Sequence, residues 1–336
     1  MGKANDHIIL LVTTARSLHA TALKKALEEL GATALRLDTD QLSAHSWPNY
    51  HVSTSSDLAS IPLSKTARRT TNLSAITVVW WDELLVPPEL FAGLQHKEWA
   101  RLETEKALLW MLTSFDALYV NHPTSILAAS NKLLQLNKAR QLGFTIPETL
   151  VTGNARQAKC FAKSATVYKP LSRPTPATVG DERILLTSLV NAKDVASPSI
   201  ACKLSLLQRY VLKSFEVRVT VVGKQCFAVA IHSQRSDRAK TDWRRYDIAN
   251  TPHYIHKLPI GVSDKCVALT TLLGLRFSTI DLIVTPSRQY VFLELNPSGL
   301  WLWLEKLTGL GITVALARHL HRASGAKARA NPIQIL

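Results

Sequence analysis

The sequence predicts an α/β protein built from two or three packed units. The chain has 336 residues, of which 46% are hydrophobic and 19% charged, with only 13 Gly and 15 Pro, so it can bury sizeable cores. Short apolar runs alternate with helix-period segments in the first third, which favours parallel strands joined by helices. A strand-rich segment with tight turns follows in the last third, which favours antiparallel hairpins.

The N-terminal part carries the pattern of a βαβ unit. Residues 7–13 form an apolar run typical of a buried parallel strand, residues 17–30 have helical periodicity, and residues 34–38 form a second strand after Gly31. A strand at Ile76–Trp81 and a helix at Lys97–Thr113 complete a predicted α/β domain over residues 1–120. Because no Gly-x-Gly-x-x-Gly motif follows the first strand, we interpret this domain as a scaffold and not as a dinucleotide site.

The rest of the chain is predicted to form two further domains and a tail. A central domain over residues 121–205 begins with a helix at residues 125–143, and its Pro-rich stretch at residues 171–180 is interpreted as a mobile lid loop. A C-terminal domain over residues 206–325 contains a hairpin, two further strands at residues 278–284 and 290–295, and a terminal helix. Residues 326–336 are expected to be a basic, weakly ordered tail.

Charge and composition restrict the function classes. The 40 Lys and Arg residues against 25 Asp and Glu give a net charge of +15, which favours anions such as nucleotides, nucleic acid or acidic peptides. No apolar run reaches the roughly 18 residues of a membrane span and no export signal is recognisable, so we expect a cytoplasmic protein with no membrane partner. The four cysteines lack the spacing of a zinc site and are expected to be reduced core residues.

The clearest chemical signal is a pair of polar strands near the C-terminus. Asp281 lies in one otherwise apolar strand, and Glu294 and Asn296 lie in the next. An antiparallel pair with a short turn brings Asp281 beside the other two, and the two-residue period of a strand puts Glu294 and Asn296 on one face. Two carboxylates and an amide oxygen suit Mg²⁺. The alternative is that these residues of a half-buried sheet merely face solvent.

Two lysines precede this group in the sequence. Lys132 on its helix and Lys169 at a strand end lie in a segment, residues 121–180, where Glu148 is the single acid, so neither has a carboxylate partner nearby in the sequence. Lysines can bind phosphate groups as point charges. The alternative is that each is a solvated surface residue, as most lysines are.

The order of these residues resembles a known enzyme family. The stretches that carry the resemblance are Asn131-Lys132, Tyr168-Lys169-Pro170, the run Gln-Arg-Tyr-Val-Leu-Lys at residues 208–213, Glu216-Val-Arg218, Asp281, and Glu-Leu-Asn-Pro-Ser-Gly-Leu-Trp-Leu-Trp-Leu-Glu at residues 294–305. Together they resemble the ATP-grasp ligases and, more narrowly, the graspetide (microviridin-type) maturases of ribosomal peptides. The resemblance spans nearly the whole chain and implies an ATP-grasp fold with an N-terminal pre-ATP-grasp α/β domain.

The resemblance also implies roles for single residues, with ATP and Mg²⁺ as cofactors. The implied nucleotide-binding residues are Lys132 and Lys169 at the phosphates, Gln208, Tyr210 and Val211 on the hinge segment at adenine, and Glu216 at the ribose. The implied magnesium ligands are Asp281, Glu294 and Asn296. Arg218 corresponds to the arginine that steadies an acyl phosphate, and Arg235 and Arg244 are candidates for binding substrate carboxylates.

The implied reaction activates a carboxylate with ATP as an acyl phosphate, which a hydroxyl or amine then attacks. In this family the carboxylates are Asp or Glu side chains of a ribosomally made acidic precursor peptide, with leader and core, and the products are ester or amide macrocycles. Family members are often dimers, but no symmetric patch in the sequence indicates a homodimer.

Departures from the family pattern and two other functions stay open at this point. The stretch at residues 171–180 has one glycine where related enzymes have a glycine-rich loop, and Asp82 and Glu83 stand where an arginine is expected. Trp301 and Trp303 are expected to be core residues, with the lining of a peptide cleft as the alternative. A ligase that adds an amino acid such as glutamate to a protein or peptide is the first alternative function. The second is a basic nucleic-acid-binding protein on an inactive ATP-grasp scaffold, although no nucleic-acid-binding motif is present.

Overall fold

The computed structural model describes residues 7–43, 46–54, 57–62, 68–72, 75–171, 187–196, 203–236 and 250–325. The strands are β1 (Ile8–Thr13), β2 (Thr33–Asp38), β3 (Asn49–Val52), β4 (Asp57–Pro62), β5 (Arg68–Asn72), β6 (Ile76–Trp81), β7 (Leu118–Val120), β8 (Thr149–Thr152), β9 (Thr166–Lys169), β10 (Ser188–Val190), β11 (Ser205–Arg209), β12 (Phe215–Val222), β13 (Gln225–Ile231), β14 (His253–Ile255), β15 (Phe277–Val284) and β16 (Tyr290–Asn296). The α-helices are α1 (Leu18–Glu29), α2 (Lys97–Thr113), α3 (Pro123–Ala129), α4 (Lys132–Gln141), α5 (Ala155–Phe161), α6 (Ile260–Leu272), α7 (Leu302–Thr308) and α8 (Ile312–Gly325).

The chain divides into two compact units, each made of separate stretches of sequence. Unit 1 comprises Met1–Ala128, Gly274–Phe277 and Pro297–Leu336. Unit 2 comprises Ala129–Leu273 and Ser278–Asn296. The domain boundaries expected at residues 120, 205 and 325 stay predictions. The mixed α/β fold class is confirmed, since unit 1 has a parallel sheet and unit 2 has antiparallel sheets.

Unit 1 contains the predicted βαβ unit. Its four-stranded parallel sheet has the order β2-β1-β6-β7, and β1 is buried along its whole length. Helix α1 begins after Ser17, whose hydroxyl accepts a hydrogen bond from the backbone N–H of Ala20 at 3.2 Å, a common N-cap. Gly31 ends this helical region with a φ of +76°, which favours glycine. Strands β3, β4 and β5 form a separate antiparallel sheet that the sequence analysis did not predict.

The C-terminal stretch of the chain completes the core of unit 1. Helix α8 packs against α1, β1 and β6 through buried residues that include Leu316 and Leu320. Trp301 is 2% exposed, meets the rings of His19 and Phe277 edge-on, and donates its indole N–H to Thr313 at 2.9 Å. The expectation of a core residue is therefore confirmed for Trp301.

Asn121 joins three stretches of unit 1. Its amide nitrogen donates to the backbone carbonyl groups of Phe277 at 2.7 Å and Pro297 at 2.8 Å. Its amide oxygen accepts from the backbone N–H groups of Arg276 at 2.8 Å and Phe277 at 3.1 Å. Because the side chain is 3% exposed and uses both ends of its amide, it stabilises this junction without water.

The helix expected at residues 125–143 is instead two helices, α3 and α4. The break occurs because the Asn131 side chain accepts from the N–H groups of Leu133 at 3.0 Å and Leu134 at 3.1 Å and so caps a new helix. The predicted terminal helix is likewise divided into α7 and α8, because Gly309 ends α7 with a φ of +73°.

Unit 2 contains two antiparallel sheets. The first has the order β10-β9-β11-β8, and the second has the order β14-β13-β12-β15-β16. Helix α5 covers the first sheet, and its Phe161 packs with Val195 and Leu207. Helices α4 and α6 pack against the second sheet.

Two expectations about composition can be compared with the structure. Cys266 is buried and Cys226 is partly buried, but Cys160 is exposed, so the core prediction is wrong for Cys160. Its helix α5 turns Ala158 and Phe161 inward, which leaves Cys160 on the solvent side. Within the described ranges, no helix has the length and apolar character needed to cross a membrane.

Candidate active site

A pocket is lined by residues from both sheets of unit 2. Seven of the residues that the sequence analysis selected line it: Lys169, Gln208, Tyr210, Val211, Glu216, Asp281 and Glu294. Four of these carry charge, and they come from β9, β12, β15 and β16. Strands that are far apart in the sequence therefore bring the selected residues together.

The first wall of the pocket is formed by β9 and β11. Lys169, the last residue of β9, is only 8% exposed. Gln208 of β11 pairs with Val167 and donates its side-chain amide to the hydroxyl of Thr149 at 2.9 Å. Since a buried ammonium group is stabilised by an anion, the end of β9 is a suitable place for a phosphate.

Residues 210–214 link the two sheets. The N–H of Tyr210 donates to the carbonyl of Ala165 at 2.9 Å, and the N–H of Ser214 donates to the carbonyl of Val284 at 2.8 Å. Between these bonds, Val211 and Lys213 line the pocket. A backbone link outside a sheet ladder can present N–H and C=O groups to the edge of a planar heterocycle. Burial, followed by the charge of Glu216, raises the pKa of Tyr210, which keeps this phenol protonated.

Glu216 at the start of β12 lies in a buried polar network. One carboxylate oxygen accepts from Lys213 and the other accepts from the hydroxyl of Ser233 at 2.5 Å. Burial raises the pKa of Glu216, and the charge and hydrogen bond of Lys213 act against that rise. The network holds a carboxylate at the pocket wall in a fixed orientation.

The second sheet carries the predicted oxygen ligands on one face. Asp281 of β15 lies directly opposite Glu294 of β16, so their side chains project to the same side. The Asp281 carboxylate accepts from one guanidinium nitrogen of Arg218, at 2.9 Å to one oxygen and 3.0 Å to the other. A second guanidinium nitrogen of Arg218 donates to Thr279 at 3.1 Å. The expectation that Asp281 and Glu294 are neighbours is confirmed by this register.

Lys132 belongs to the same group. Its ammonium group lies 2.5 Å from a carboxylate oxygen of Glu294, and the two side chains are 24% and 18% exposed. The sequence analysis found no carboxylate near Lys132 along the chain, and its partner is indeed 162 residues away. Each of the two carboxylates therefore has a cation from another element beside it.

Five predicted site residues do not line the pocket: Lys132 and Arg218 contact its carboxylates, and the other three lie apart from it or outside the described ranges. Asn296 ends β16 opposite Thr279, on the face of Glu294, but it does not line the pocket. Arg235 is exposed at the end of a short 3-10 helix, Ser233–Arg235. Arg244 and the lid loop at residues 172–180 fall outside the described residues.

The donor set fits Mg²⁺ and a nucleotide. No cluster of three or more His, Cys, Asp or Glu that could hold a metal occurs in the described ranges, so a site made of protein carboxylates alone is not found there. Mg²⁺, however, is usually held by one or two carboxylates together with substrate phosphates. Asp281 and Glu294 on one wall and Lys169 on the other correspond to that division of ligands.

The structure also places in this region polar residues that the sequence analysis did not select. Lys213 and Thr187 line the pocket, and Ser233 contacts Glu216. Lys213 was quoted only as the end of a motif. A lysine three residues before a glutamate is usually a surface pair, so the local sequence gives no signal for this buried ion pair.

Comparison with curated proteins and family models gives limited sequence similarity. No family model matches the chain. A probable alpha-L-glutamate ligase of Pasteurella multocida is 24% identical over 224 residues, which are 63% of this chain and 68% of that protein. Human N-acetylaspartylglutamate synthase A is 25% identical over 222 residues, which are 62% of this chain and 54% of the human protein.

Solved structures match nearly the whole chain. The macrocyclase MdnC of Microcystis aeruginosa, crystallised with precursor peptide MdnA, has a TM-score of 0.80 and 27% identity, covering 94% of this chain and 99% of that one. The macrocyclase MdnB of the same organism has a TM-score of 0.74 and 27% identity, with the same coverage. A RiPP-associated ATP-grasp ligase of Chryseobacterium gregarium, bound to ADP and to a leader and core peptide, has a TM-score of 0.85 and 24% identity, covering 94% of this chain and 97% of that one. These likenesses confirm the fold and the resemblance to peptide-modifying ATP-grasp enzymes that the sequence indicated.

Proposed function

We propose that this chain, an ADP-forming ligase with the ATP-grasp fold, closes side-chain macrocycles in a ribosomally made precursor peptide. ATP would convert an Asp or Glu side chain of the peptide into an acyl phosphate with release of ADP. A Ser or Thr hydroxyl, or a Lys amine, would then attack the acyl carbon and displace phosphate. The product is an ester or amide ring that has lost one water relative to the linear peptide.

One observation carries the proposal. The pocket collects cations and carboxylates from both sheets of unit 2 in the arrangement expected for nucleotide binding. Phosphoryl transfer needs little covalent participation by the protein, so positioning and charge stabilisation account for most of its catalysis. The charged residues that line the pocket can provide both the positioning and the charge stabilisation.

We assign the residues of this chain as follows. Lys132 and Lys169 bind the nucleotide phosphates, and the backbone of residues 208–211 contacts adenine. Glu216 accepts hydrogen bonds from the ribose, and Arg218 steadies the transferring phosphoryl group. Mg²⁺, when held by Asp281, Glu294 and Asn296, offsets the negative charge of the phosphates.

Lys132 and Arg218 change partners in this assignment. Each lies against a proposed metal ligand in this structure, at 2.5 Å from Glu294 and 2.9 Å from Asp281. A cation that neutralises a carboxylate before substrates bind can turn to a phosphate oxygen afterwards, because the charge it balances stays of the same sign. The two ion pairs therefore hold the carboxylates in fixed orientations.

The peptide partner is supported by the matched structures, two of which contain precursor or leader and core peptides. The net charge of +15 suits an acidic peptide. Arg235 is exposed and is proposed, with Arg244, to bind substrate carboxylates.

A second candidate reaction is addition of an amino acid to a protein or peptide. The observation that favours it is the similarity to a probable alpha-L-glutamate ligase. It uses the same acyl-phosphate chemistry with a free amino acid as the nucleophile, so the pocket serves both reactions equally.

The deciding experiment incubates the protein with ATP, Mg²⁺ and candidate precursor peptides that contain Thr or Ser together with Glu or Asp, followed by intact-mass measurement. Loss of one water per ring is expected. Added residue masses, in a parallel reaction with free glutamate, would establish the second candidate instead. Absence of ADP release with every peptide and amino acid tested would overturn both. A peptide in which each Asp and Glu is replaced by Asn and Gln is the control, and it should stay unmodified.

A further inference from the structure

The network around Glu216 contains a lysine, Lys213, to which the proposed function assigns no role. Lys213 and Glu216 have side chains only 4% and 5% exposed, and the ammonium group donates to a carboxylate oxygen. Ser233, which is fully buried, donates to the other oxygen. Both charged residues line the nucleotide pocket, on the wall where residues 210–214 enter β12.

The burial of an ion pair often brings no net stabilisation of the fold. Removing two charges from water often costs as much as their attraction returns, so burial of Lys213 does not by itself stabilise the fold. Removing one partner is different, because the remaining charge is left buried and tends to neutralise by changing its pKa. A neutral Glu216 would hold a proton on one oxygen and lose much of its capacity to accept hydrogen bonds.

We propose that Lys213 is a positioning residue that keeps Glu216 ionised, so that its carboxylate accepts hydrogen bonds from the ribose hydroxyls of the nucleotide. The inference rests on the proposed function, since it requires a nucleotide in this pocket. According to this inference, the preference of the protein for ribonucleotides over deoxyribonucleotides depends on Lys213. Burial raises the pKa of Glu216, and Lys213 is the largest influence in the opposite direction.

The other titratable groups around Glu216 are not expected to change their protonation state between pH 7 and pH 9. The further charged or titratable side chains of this region are Lys169, Arg209, Tyr210, Arg218, His232, His253, Asp281 and Glu294. Burial lowers the pKa values of His232 and His253, so these imidazoles are neutral in that range. The pKa of Tyr210 is raised, so its phenol stays protonated. A response to pH in this window therefore reports Glu216.

The test measures the affinities for ADP and 2′-deoxyADP by titration calorimetry at pH 7 and pH 9. The wild-type protein should bind ADP about tenfold more tightly than 2′-deoxyADP at both pH values. This difference is expected because 2′-deoxyADP lacks one hydroxyl that can donate a hydrogen bond to a charged carboxylate. Lys213→Gln keeps a hydrogen-bond donor but removes the charge, so the preference should be weaker than in wild type at pH 7 and should increase towards pH 9. Lys213→Arg should keep the wild-type preference. Lys257→Gln, at an exposed lysine, is the matched control and should behave like wild type.

Three results would overturn the inference. A Lys213→Gln variant that keeps the preference at pH 7 shows that Lys213 is not needed, and one that loses it equally at both pH values shows a structural role. Wild-type protein that binds both nucleotides equally removes the role of Glu216 but leaves the proposed function standing. Wild-type protein that binds neither nucleotide contradicts the proposed function itself. If Lys213→Gln does not fold, carbon-13 NMR of the wild-type carboxylates decides, because a Glu216 that is neutral at pH 7 contradicts the inference.

Discussion

Replacement of Glu294 by Gln tests the proposed metal-binding role of this residue separately from its structural role. Gln has nearly the same volume, so the change removes one of the two carboxylate charges opposite each other on β15 and β16. The ion pair with Lys132 is partly solvated, at 24% and 18% exposed, so its loss should cost about 1 kcal/mol or less. That corresponds to a shift of the melting temperature by about 4 °C at most for a domain of this size.

The expected effect on catalysis is larger. Loss of one preorganised group that stabilises transferring charge typically reduces turnover by about 100-fold to 1,000-fold, or about 2.7–4 kcal/mol. We therefore expect peptide-dependent ADP release to fall at least 100-fold at saturating ATP and Mg²⁺ while the thermal melt is nearly unchanged. Glu98→Gln is the matched control, because Glu98 also forms an ion pair, with Arg101, but is 72% exposed on α2, in unit 1. Turnover of Glu294→Gln within threefold of wild type would refute the assignment of Glu294 to the metal.

Further predictions concern the pocket and the core of unit 1. Lys169→Met should weaken ADP binding by about tenfold or more in calorimetry with an unchanged melt, because it removes a phosphate-binding charge; equal affinity would contradict the role. Trp301→Ala should destabilise the protein by about 3–5 kcal/mol in urea unfolding, because the ring is 2% exposed, and a loss below about 1 kcal/mol would contradict this packing. Burial lowers the pKa values of His19 and His319, so the folded state favours neutral imidazoles. Stability present above the unfolded value of about 6.5 should be lost as the pH falls through the lowered folded values. The melting temperature should therefore be lower at pH 5.5 than at pH 7.5, with a smaller difference in a His19→Gln, His319→Gln double variant.

The parts of the site that could be predicted from the sequence are those with a strong local pattern. Two polar residues in strands that are otherwise apolar, joined by a short turn, can pair in few registers, so Asp281 and Glu294 were expected to be neighbours. The helices that begin at Leu18 and Lys97 were also expected, because their apolar spacing is clear.

Other features depend on contacts that no local pattern contains. The break between α3 and α4 depends on whether Asn131 caps a helix or lies within one, and both are compatible with the local sequence. The partner of Lys132 comes from a strand 162 residues away. The buried pair of Lys213 and Glu216 could not be recognised, because a lysine three residues before a glutamate is usually a surface pair.

The division of unit 1 over the two ends of the chain has a consequence for synthesis. The ribosome makes β1 first, but helix α8, which packs against β1 and β6, emerges only after all of unit 2. Unit 2 can therefore form its core during translation. The apolar residues of β1 and β6 that contact α8 stay exposed until α8 has been synthesised and released. Chains cut short before Ile312 should consequently aggregate, although such a cut removes no residue that lines the proposed nucleotide pocket.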